Sequence, residues 1–577
     1  MRLEDFVLDD ASGVHVSSAE VRQIDYSDGA ERYLKKVLTS VNDLGLLSSQ
    51  IRSKIDYWDW AILYHLSPYR ATILDCFDFP NNDAKVLELG AGCGGVTRWL
   101  GEHFKDTYAV EGSFQRACIS RLRCRDLPGV KVYAANFFDL ELEKQFDIVT
   151  LIGVLEYSPV YHPVYRKNPY KAALSTLQFA YNAIKDQGIL LLAIENKLGL
   201  KYFSGAREDH SGKFFDSIHG YPDAGTPVTF SAAELDSLLR SAGFTSVDFY
   251  LPFPDYKLAK TIINAQALST FHHYLYNWIE TPFPDRVEPQ RMLFFNESLA
   301  LREIMKARLL KDLSNSFLLV AHKGKKDENC KKFNLSADGW IVKHYTLDRY
   351  QAFCKKVSLL KTVSGSLKVD KCMAFNKSSE KDIQHTAFIH AIEPEKYYAG
   401  DLLLLSVFEM LASQKFDSMF QPLLEKLNGF LINRFSSGES DEAGIPFLSG
   451  ESLDVTLWNI IVEEGTGEWI IFDREWTFNG LLPVDLVIWR NVHYLFDLYG
   501  NYFEKSYFRR PVAELVCGWI QKLYPAFNEE RYNLSMQFEE SLQNYVNQGT
   551  SDIETYHIIE KLCRISDRSD RPGLDCI

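Results

Sequence analysis

Three glycines separated by single residues, Gly90, Gly92 and Gly94, follow directly on the apolar run Val86-Leu87-Glu88-Leu89. Without Cβ atoms the backbone can turn sharply and approach a ligand closely, and the helical pattern that opens at Val96 aims free N–H groups at it. This is the layout that holds a nucleotide-like cofactor at the end of a parallel strand. The spacing admits two readings: Gly90, Gly92 and Gly95 satisfy the dinucleotide pattern G-x-G-x-x-G, while Glu88 with Gly90, Gly92 and Gly94 satisfies E-x-G-x-G-x-G. A second apolar run, Thr107–Val110, ends in Glu111. A carboxylate about 20 positions beyond a glycine loop suits a bidentate grip on ribose hydroxyls. Groups able to move a proton follow later strand-like runs: His162 and Glu156 come after 146–152, and His210 after 188–195. No metal triad is apparent.

These residues need a sheet to position them. Apolar runs at 85–89, 107–110, 130–135, 146–152 and 188–195 alternate with helical patterns, as expected of a parallel sheet with its ligands at the strand ends. The 577 residues suggest two to four domains, and 46% apolar content suits a packed globular chain. A formal net charge of −14 disfavours non-specific nucleic-acid binding. The ten cysteines form no C-x-x-C pair, so neither zinc nor a disulfide scaffold is indicated, and reduced thiols in a cytoplasm are expected. No apolar run approaches the ~20 residues of a membrane helix. Any membrane association would therefore run through partners.

At Glu88 the glycine loop resembles that of class I S-adenosylmethionine (SAM) methyltransferases. Phe146-Asp147-Ile148-Val149, with Val154-Leu155-Glu156, resembles the FD-x-V and VLE segment of the same superfamily. The resemblance implies SAM as cofactor, held by Glu88, Gly90, Gly92, Gly94, Glu111 and Gly153. It also implies that Asn136 bonds the adenine amino group and that Phe137 packs on the ring. The expected fold is α/β, a Rossmann-like seven-stranded methyltransferase sheet over 81–325. Residues 1–80 would form a preceding helical segment, and 243–250 and 315–324 two closing antiparallel strands. Residues 255–312 would be a helical insertion with helices at 265–279 and 297–310. Tyr57, Trp58 and Trp60, just upstream, could close over the substrate. In-line methyl transfer to a hydroxyl benefits from a base, for which His162 and His210 are the candidates, with Glu156 a third. The segment 195–210 resembles one found in bacterial methyltransferases associated with surface-polysaccharide genes. Glu195, Asp209 and His210 would then face the acceptor.

From about residue 330 the pattern changes. Asp454 is followed five residues later by Asn459, then a hairpin, then the strand Trp469–Phe472 ending in Asp473. This spacing resembles the catalytic and metal loops of protein-kinase-like, aminoglycoside-phosphotransferase-like enzymes. The resemblance implies an α+β kinase-like domain over 330–577. In it Asp454 would orient an acceptor hydroxyl, Asn459 and Asp473 would hold Mg²⁺, and Lys343 would meet the phosphates of ATP. Residues 348–362 would be the helix after that lysine, and 388–393 the hinge. The chain departs from the pattern in several places. Ser452-Leu453 stand where His-Arg is usual, no glycine-rich loop precedes Lys343, and 348–362 contains no Glu. An active module and a degenerate one both stay open.

Taken together, the two resemblances imply methyl transfer to a sugar hydroxyl or phosphate during polysaccharide synthesis. The acceptor would be a glycan or small molecule, and glycan-assembly enzymes the partners. The alternatives are a bifunctional methyltransferase–kinase that caps a glycan chain, and a non-catalytic assembly scaffold.

Overall fold

The computed structural model describes residues 1–17, 24, 26–46, 48–55, 59–79, 82–223, 226–270, 273–285, 291–324, 335, 339–362, 364–374, 387–504, 507–549 and 554–564. The chain divides into two compact units. The first comprises Met1–Glu297 and Glu303–Tyr345, and the second Ser298–Arg302 and Thr346–Ile577.

The first unit is built on a mixed sheet. Its strands are β1 (Phe6–Asp9), β2 (Val14–Ser17), β3 (Lys85–Leu89), β4 (Asp106–Glu111), β5 (Val130–Ala134), β6 (Phe146–Ile152), β7 (Ile184–Glu195), β8 (Ser246–Phe253), β9 (Thr261–Asn264), β10 (Ser316–His322) and β11 (Trp340–Thr346). They lie in the order β1-β2-β5-β4-β3-β6-β7-β10-β8-β9-β11. The stretch β5-β4-β3-β6-β7 is parallel. β10 then runs antiparallel between β7 and β8, with Leu319 opposite both Leu192 and Phe249. Every residue of β6 and β10 is buried, as expected of strands covered on both faces. This is a Rossmann-like α/β sheet closed by two antiparallel strands, which lie within three residues of the expected bounds.

Local chemistry sets the helix ends. Asn168 caps the Pro169–Ala183 helix by accepting from Lys171 N, with proline at the first helical position. Ser231 and Glu234 form a reciprocal capping box at the start of Ala232–Ala242, and Gly243 at φ +113° ends it.

Three expectations change. The N-terminal segment is not all helical: β1 and β2 form a hairpin, and β2 joins the sheet edge beside β5, where His15 stacks on Tyr133. The 255–312 region is only partly helical. Glu297–Lys306 is a helix, but 261–264 is strand β9, and Ala265–Ser269 and Leu275–Trp278 are short 3-10 turns. Trp340–Thr346 belongs to the first sheet, where Lys343 lies opposite Ile262 of β9. β9 offers a free edge that this strand, apolar over Trp340–Val342, can cover, a demand that no local sequence signal announces.

The second unit is α+β. β12 (Lys355–Lys361) and β13 (Leu367–Met373) pair antiparallel, and β13 also pairs β15 (Glu395–Lys396). The stretch 348–362 is thus mainly strand, its Val357 and Leu359 alternating inward. β14 (Phe388–His390) pairs β21 (Trp476–Phe478). β16 (Gly400–Leu402), β19 (Ile460–Glu463) and β20 (Trp469–Ile471) form a small sheet. Another contains β17 (Ser436–Ser440), β18 (Pro446–Ser449) and β22 (Leu481–Pro483). The helices Phe416–Phe435, Val484–Tyr499 and Glu529–Gln548 supply most of the remaining core.

Arg531 is fully buried in this unit. Its Nε donates to Asp485 at 2.7 Å and its Nη1 to Asp441 at 3.1 Å. Replacing it strands both carboxylates without the cation they share. Arg531→Met is expected to destabilise the unit by about 3–5 kcal/mol, read as a lower urea midpoint in tryptophan fluorescence.

Candidate functional site

A cavity opens at the C-terminal ends of β3, β4, β5 and β6. It is lined by the glycine loop, Glu88, Glu111, Asn136, Phe137, Gly153, Glu156, Tyr157, Asp209, His210 and Lys257, and by Asp28, Trp60, Tyr64, His65, Arg70 and Arg116 from the surrounding segments. The glycine loop folds back on β4: Gly90 N and Ala91 N both donate to Val110 O, at 2.8 and 3.1 Å. Gly90, Gly92 and Gly94 all take positive φ, at +79°, +56° and +83°. A Cβ on Gly90 would lie 2.5 Å from Val154 Cγ2, and one on Gly94 would lie 2.9 Å from Ser120 Cα. Glycine is required here for both conformation and space.

Glu111 accepts from Gly92 N at 2.7 Å and from Ser113 N at 3.0 Å, which stations its carboxylate beside the loop. Glu88 is buried and accepts from Thr97 Oγ1 at 2.6 Å. Burial pushes its carboxyl up to about 8, against the pull of Thr97 and Arg70. Asn136 Oδ1 caps the following turn through Phe138 N at 3.1 Å, and Phe137 packs beside Phe138 and Phe179.

The far end of the cavity is a buried charge cluster. Lys201 Nζ lies 2.6 Å from Asp209 and 3.4 Å from Asp255, while Lys257 Nζ pairs with Glu195 and lies 3.6 Å from Asp209 and from Asp255. His210 Nε2 faces Glu195 at 3.5 Å. Two ammonium groups cannot match Glu195, Asp209 and Asp255, so His210 supplies the third positive charge. Burial works against that charge, yet the Glu195 carboxylate opposite Nε2 holds the imidazole up at about 9. Burial acts on Glu195 in the opposite sense, and Lys257 and His210 outweigh it to keep the carboxylate ionised. Glu156 is left as a fourth carboxyl without a matching cation. Burial and the Glu195 charge push it up to about 8, and neither of its oxygens has a hydrogen-bond partner among the described residues. Near neutrality it is therefore a protonated acid at the cavity wall. Donor atoms of Glu156, Glu195 and His210 all lie within 4.8 Å of one another, a convergence that the spacing of these residues in sequence does not reveal.

Residues 62–248 match the family model described as a methyltransferase domain. The chain carries a methyltransferase domain. Among curated proteins, none matches the chain. Among solved structures, a SAM-dependent methyltransferase from Thermotoga maritima is 17% identical, covering 45% of this chain and 92% of its own, with a TM-score of 0.26. One from Mesorhizobium loti is 14% identical, covering 44% and 95%, with a TM-score of 0.26. Phosphoethanolamine N-methyltransferase 2 of Haemonchus contortus, solved with phosphomonomethylethanolamine and S-adenosylhomocysteine, is 15% identical, covering 50% and 61%, with a TM-score of 0.28.

Within the methyltransferase unit, the cavity gathers Glu88, Gly90, Gly92, Glu111, Asn136, Phe137, Gly153, Glu156 and His210. Gly94 stands behind the loop as the residue before the Gly95–His103 helix. His162 is not in the cavity wall. Its Nδ1 accepts from Val164 N and Tyr165 N, both at 3.0 Å, and its ring packs on Phe138. That is a turn-forming role, not one for a base. Trp60 lines the cavity, whereas Tyr57 and Trp58 lie outside the described residues. Sequence reasoning missed Lys201, Lys257 and Asp255. Their only signal is the oddity of lysines beside apolar runs. No helix among the described residues is long and apolar enough to cross a membrane.

In the second unit Asp454 sits half-buried at the end of a 3-10 turn and accepts from Glu475 N at 2.8 Å and Trp476 N at 3.3 Å. Burial pushes it up to about 6. Asn459 Nδ2 donates to Asp454 O at 3.1 Å. Asp473, at φ +53°, receives Lys355 Nζ at 2.9 Å and Lys371 Nζ at 2.6 Å, and Lys371 also reaches Glu395 at 3.0 Å. The lysines that meet Asp473 are thus Lys355 on β12 and Lys371 on β13. Lys343 lies on β11 of the first unit, with its ammonium over the Trp340 ring.

Gly90→Ala is expected to destabilise the methyltransferase unit by about 1–3 kcal/mol and to weaken SAM binding. Thermal denaturation and titration calorimetry would check the two effects.

Proposed function

We propose that the methyltransferase unit methylates a sugar hydroxyl of a bacterial surface-polysaccharide precursor, with His210 as the base. The reading is supported chiefly by one observation: His210, backed by Glu195 and flanked by the protonated Glu156, faces the same cavity as the glycine loop. Bound SAM supplies an electrophilic methyl group on a sulfonium. Glu88, Glu111, the glycine loop, Gly153, Asn136 and Phe137 hold the cofactor along the ends of β3, β4 and β5. Glu195 opposite Nε2 favours a proton there and leaves His210 Nδ1 to take the acceptor proton as the new C–O bond forms and the C–S bond breaks. Glu156 donates a hydrogen bond to a neighbouring acceptor oxygen. A phosphate oxygen needs no base, so the dyad favours a hydroxyl over a phosphate. The polysaccharide assignment rests on the resemblance of the 195–210 segment. A cytoplasmic location beside glycan-assembly enzymes goes with it.

Because His210 is held at about 9 in the free site, its basic form grows as pH rises. kcat/KM is expected to climb above neutrality and to turn over as Glu156, held up at about 8, loses the proton it donates. His210→Gln should lower kcat by about 10²–10⁴-fold and abolish that climb. Mass spectrometry of candidate glycans incubated with labelled SAM reads the transfer. A flat pH profile, or full activity in His210→Gln, would overturn the assignment.

We also propose that the second unit is a kinase-like module that binds ATP. Support comes from the convergence of Lys355 and Lys371 on Asp473, with Asp454 and Asn459 in the adjoining turn. The oxygen donors of Asn459 and Asp473 suit Mg²⁺, which Asp473 would take in exchange for its lysine contacts. Lys371→Met should weaken ATP binding by about tenfold or more, while Lys343→Met should leave it unchanged. ATP hydrolysis lost in Asp473→Ala would mark the bifunctional enzyme. Binding without hydrolysis would mark a degenerate module.

A further inference from the structure

Glu156, Glu195 and His210 meet beyond the ends of β6 and β7, and moving a proton uses only part of what they offer. Glu156 is fully buried, and among the described residues neither of its oxygens has a hydrogen-bond partner. Glu195 divides its carboxylate: Oε1 pairs with Lys257 Nζ, while Oε2 faces His210 Nε2 at 3.5 Å. The His210 side chain is 6% exposed. One donor atom from each of the three lies within 4.8 Å of the other two. Two carboxylates and an imidazole brought this close, away from water and with one carboxylate unpartnered, form a pocket for a cation.

The donor set says which cation. Tetrahedral zinc holds imidazole nitrogen and carboxylate oxygen at about 2.0–2.2 Å, which sets its donors about 3.3–3.6 Å apart. The His210–Glu195 pair already has that separation. Glu156 has no partner to give up and needs to move by only about 1 Å. An imidazole with two carboxylates suits zinc and its first-row neighbours, whereas Mg²⁺ and Ca²⁺ call for more ligands, all of them oxygen. The charges also close. As carboxylates, Glu156, Glu195, Asp209 and Asp255 exceed the ammonium groups of Lys201 and Lys257 by two, the charge of one divalent ion. We infer that Glu156, Glu195 and His210 form a site for a zinc-class divalent cation, and that this ion switches methyl transfer off. The switch rests on the reading above of His210 as the base. The metal replaces the proton on His210 Nε2 and the proton on Glu156, and both leave to solvent. The proton that stays on the ring is then on Nδ1, the atom that has to accept from the acceptor hydroxyl. Glu156 has no proton left to donate.

The test uses the full chain freed of metal by a chelator, with zinc chloride as the probe in titration calorimetry. Glu156→Gln keeps the size and a hydrogen-bond donor but loses the anionic ligand. It is expected to weaken zinc at one site by at least about tenfold, and His210→Gln to do the same. Zinc taken up by the second unit is common to all three proteins, so the comparison isolates this site. No zinc uptake, or equal uptake in the unmodified protein and both variants, would overturn the inference. Should either variant lose its cooperative thermal transition, cobalt chloride added to the unmodified protein gives a second readout. The strong visible absorption of a four-coordinate site is expected, and the pale spectrum of a six-coordinate ion alone would count against it. In transfer assays with labelled SAM, saturating zinc should lower turnover of the unmodified protein by at least about tenfold, reversibly on adding chelator. The residual turnover of Glu156→Gln should fall less than about twofold under the same zinc. Zinc held at this site with transfer undiminished would overturn the switch. If zinc binds and blocks transfer while His210→Gln stays fully active, only the base assignment fails. If zinc does not bind while the pH dependence through His210 stands, only this inference fails.

Discussion

The charge balance at the end of β7 is the constraint on which the rest of the catalytic unit depends. Glu195, Asp209 and Asp255 are buried together with Lys201 and Lys257. None can be removed alone without stranding a charge away from water. Three negative charges against two positive ones hold a proton on His210, and the same surplus leaves Glu156 protonated. The chemistry assigned to His210 and Glu156 is therefore a property of the whole cluster. The cluster also ties distant pieces of chain together. Glu195 ends β7, Lys201 and Asp209 lie on the segment that follows, and Asp255 and Lys257 lie on the turn after β8. Asn315, just before β10, secures the joint by donating to Pro254 O at 2.9 Å and accepting from Lys201 N at 3.0 Å.

The opposite wall of the cavity is made by chain that precedes the sheet. Asp28, held well ionised at about 2 once His65 and Arg116 outweigh its burial, fastens this segment to the helix after β4. Val37, Leu38, Leu44, Ile51 and Ile62 form a core with Cys93 of the glycine loop and Ile119. The loop is thus packed from outside as well as strapped to β4 from within, so its backbone N–H groups are pre-oriented before any ligand binds.

The second unit uses a different device. The turn that carries Asp454 is gripped by the Val484–Tyr499 helix: Arg490 donates to Leu453 O, Asn491 Nδ2 to Val455 O at 3.0 Å, and Asn491 Oδ1 accepts from Leu457 N at 2.7 Å. Arg490 is in turn held by Glu539 at 2.7 Å. A turn fixed by its helix, facing a carboxylate held by two strand lysines, is a preorganised polar site whatever its ligand.

The parallel strands, their helices, the glycine loop and the acid at the end of β4 were legible in the sequence, because each is encoded by neighbouring residues: an apolar run, a cap, a glycine at a positive φ. The closeness of Asp454 and Asn459 was legible for the same reason, since one turn holds both. What the sequence could not disclose was decided by pairing between distant segments. Trp340–Thr346 has the pattern of any half-covered strand, and only the free edge of β9 assigns it to the first sheet. The lysines at 355 and 371 resemble surface residues until β12 and β13 bring both to Asp473. His162 carries no local mark of its role. Tertiary packing turned the His162 ring back onto its own loop. Electrostatic balance is a sum over everything nearby in space, and that sum is unknown until the chain has folded.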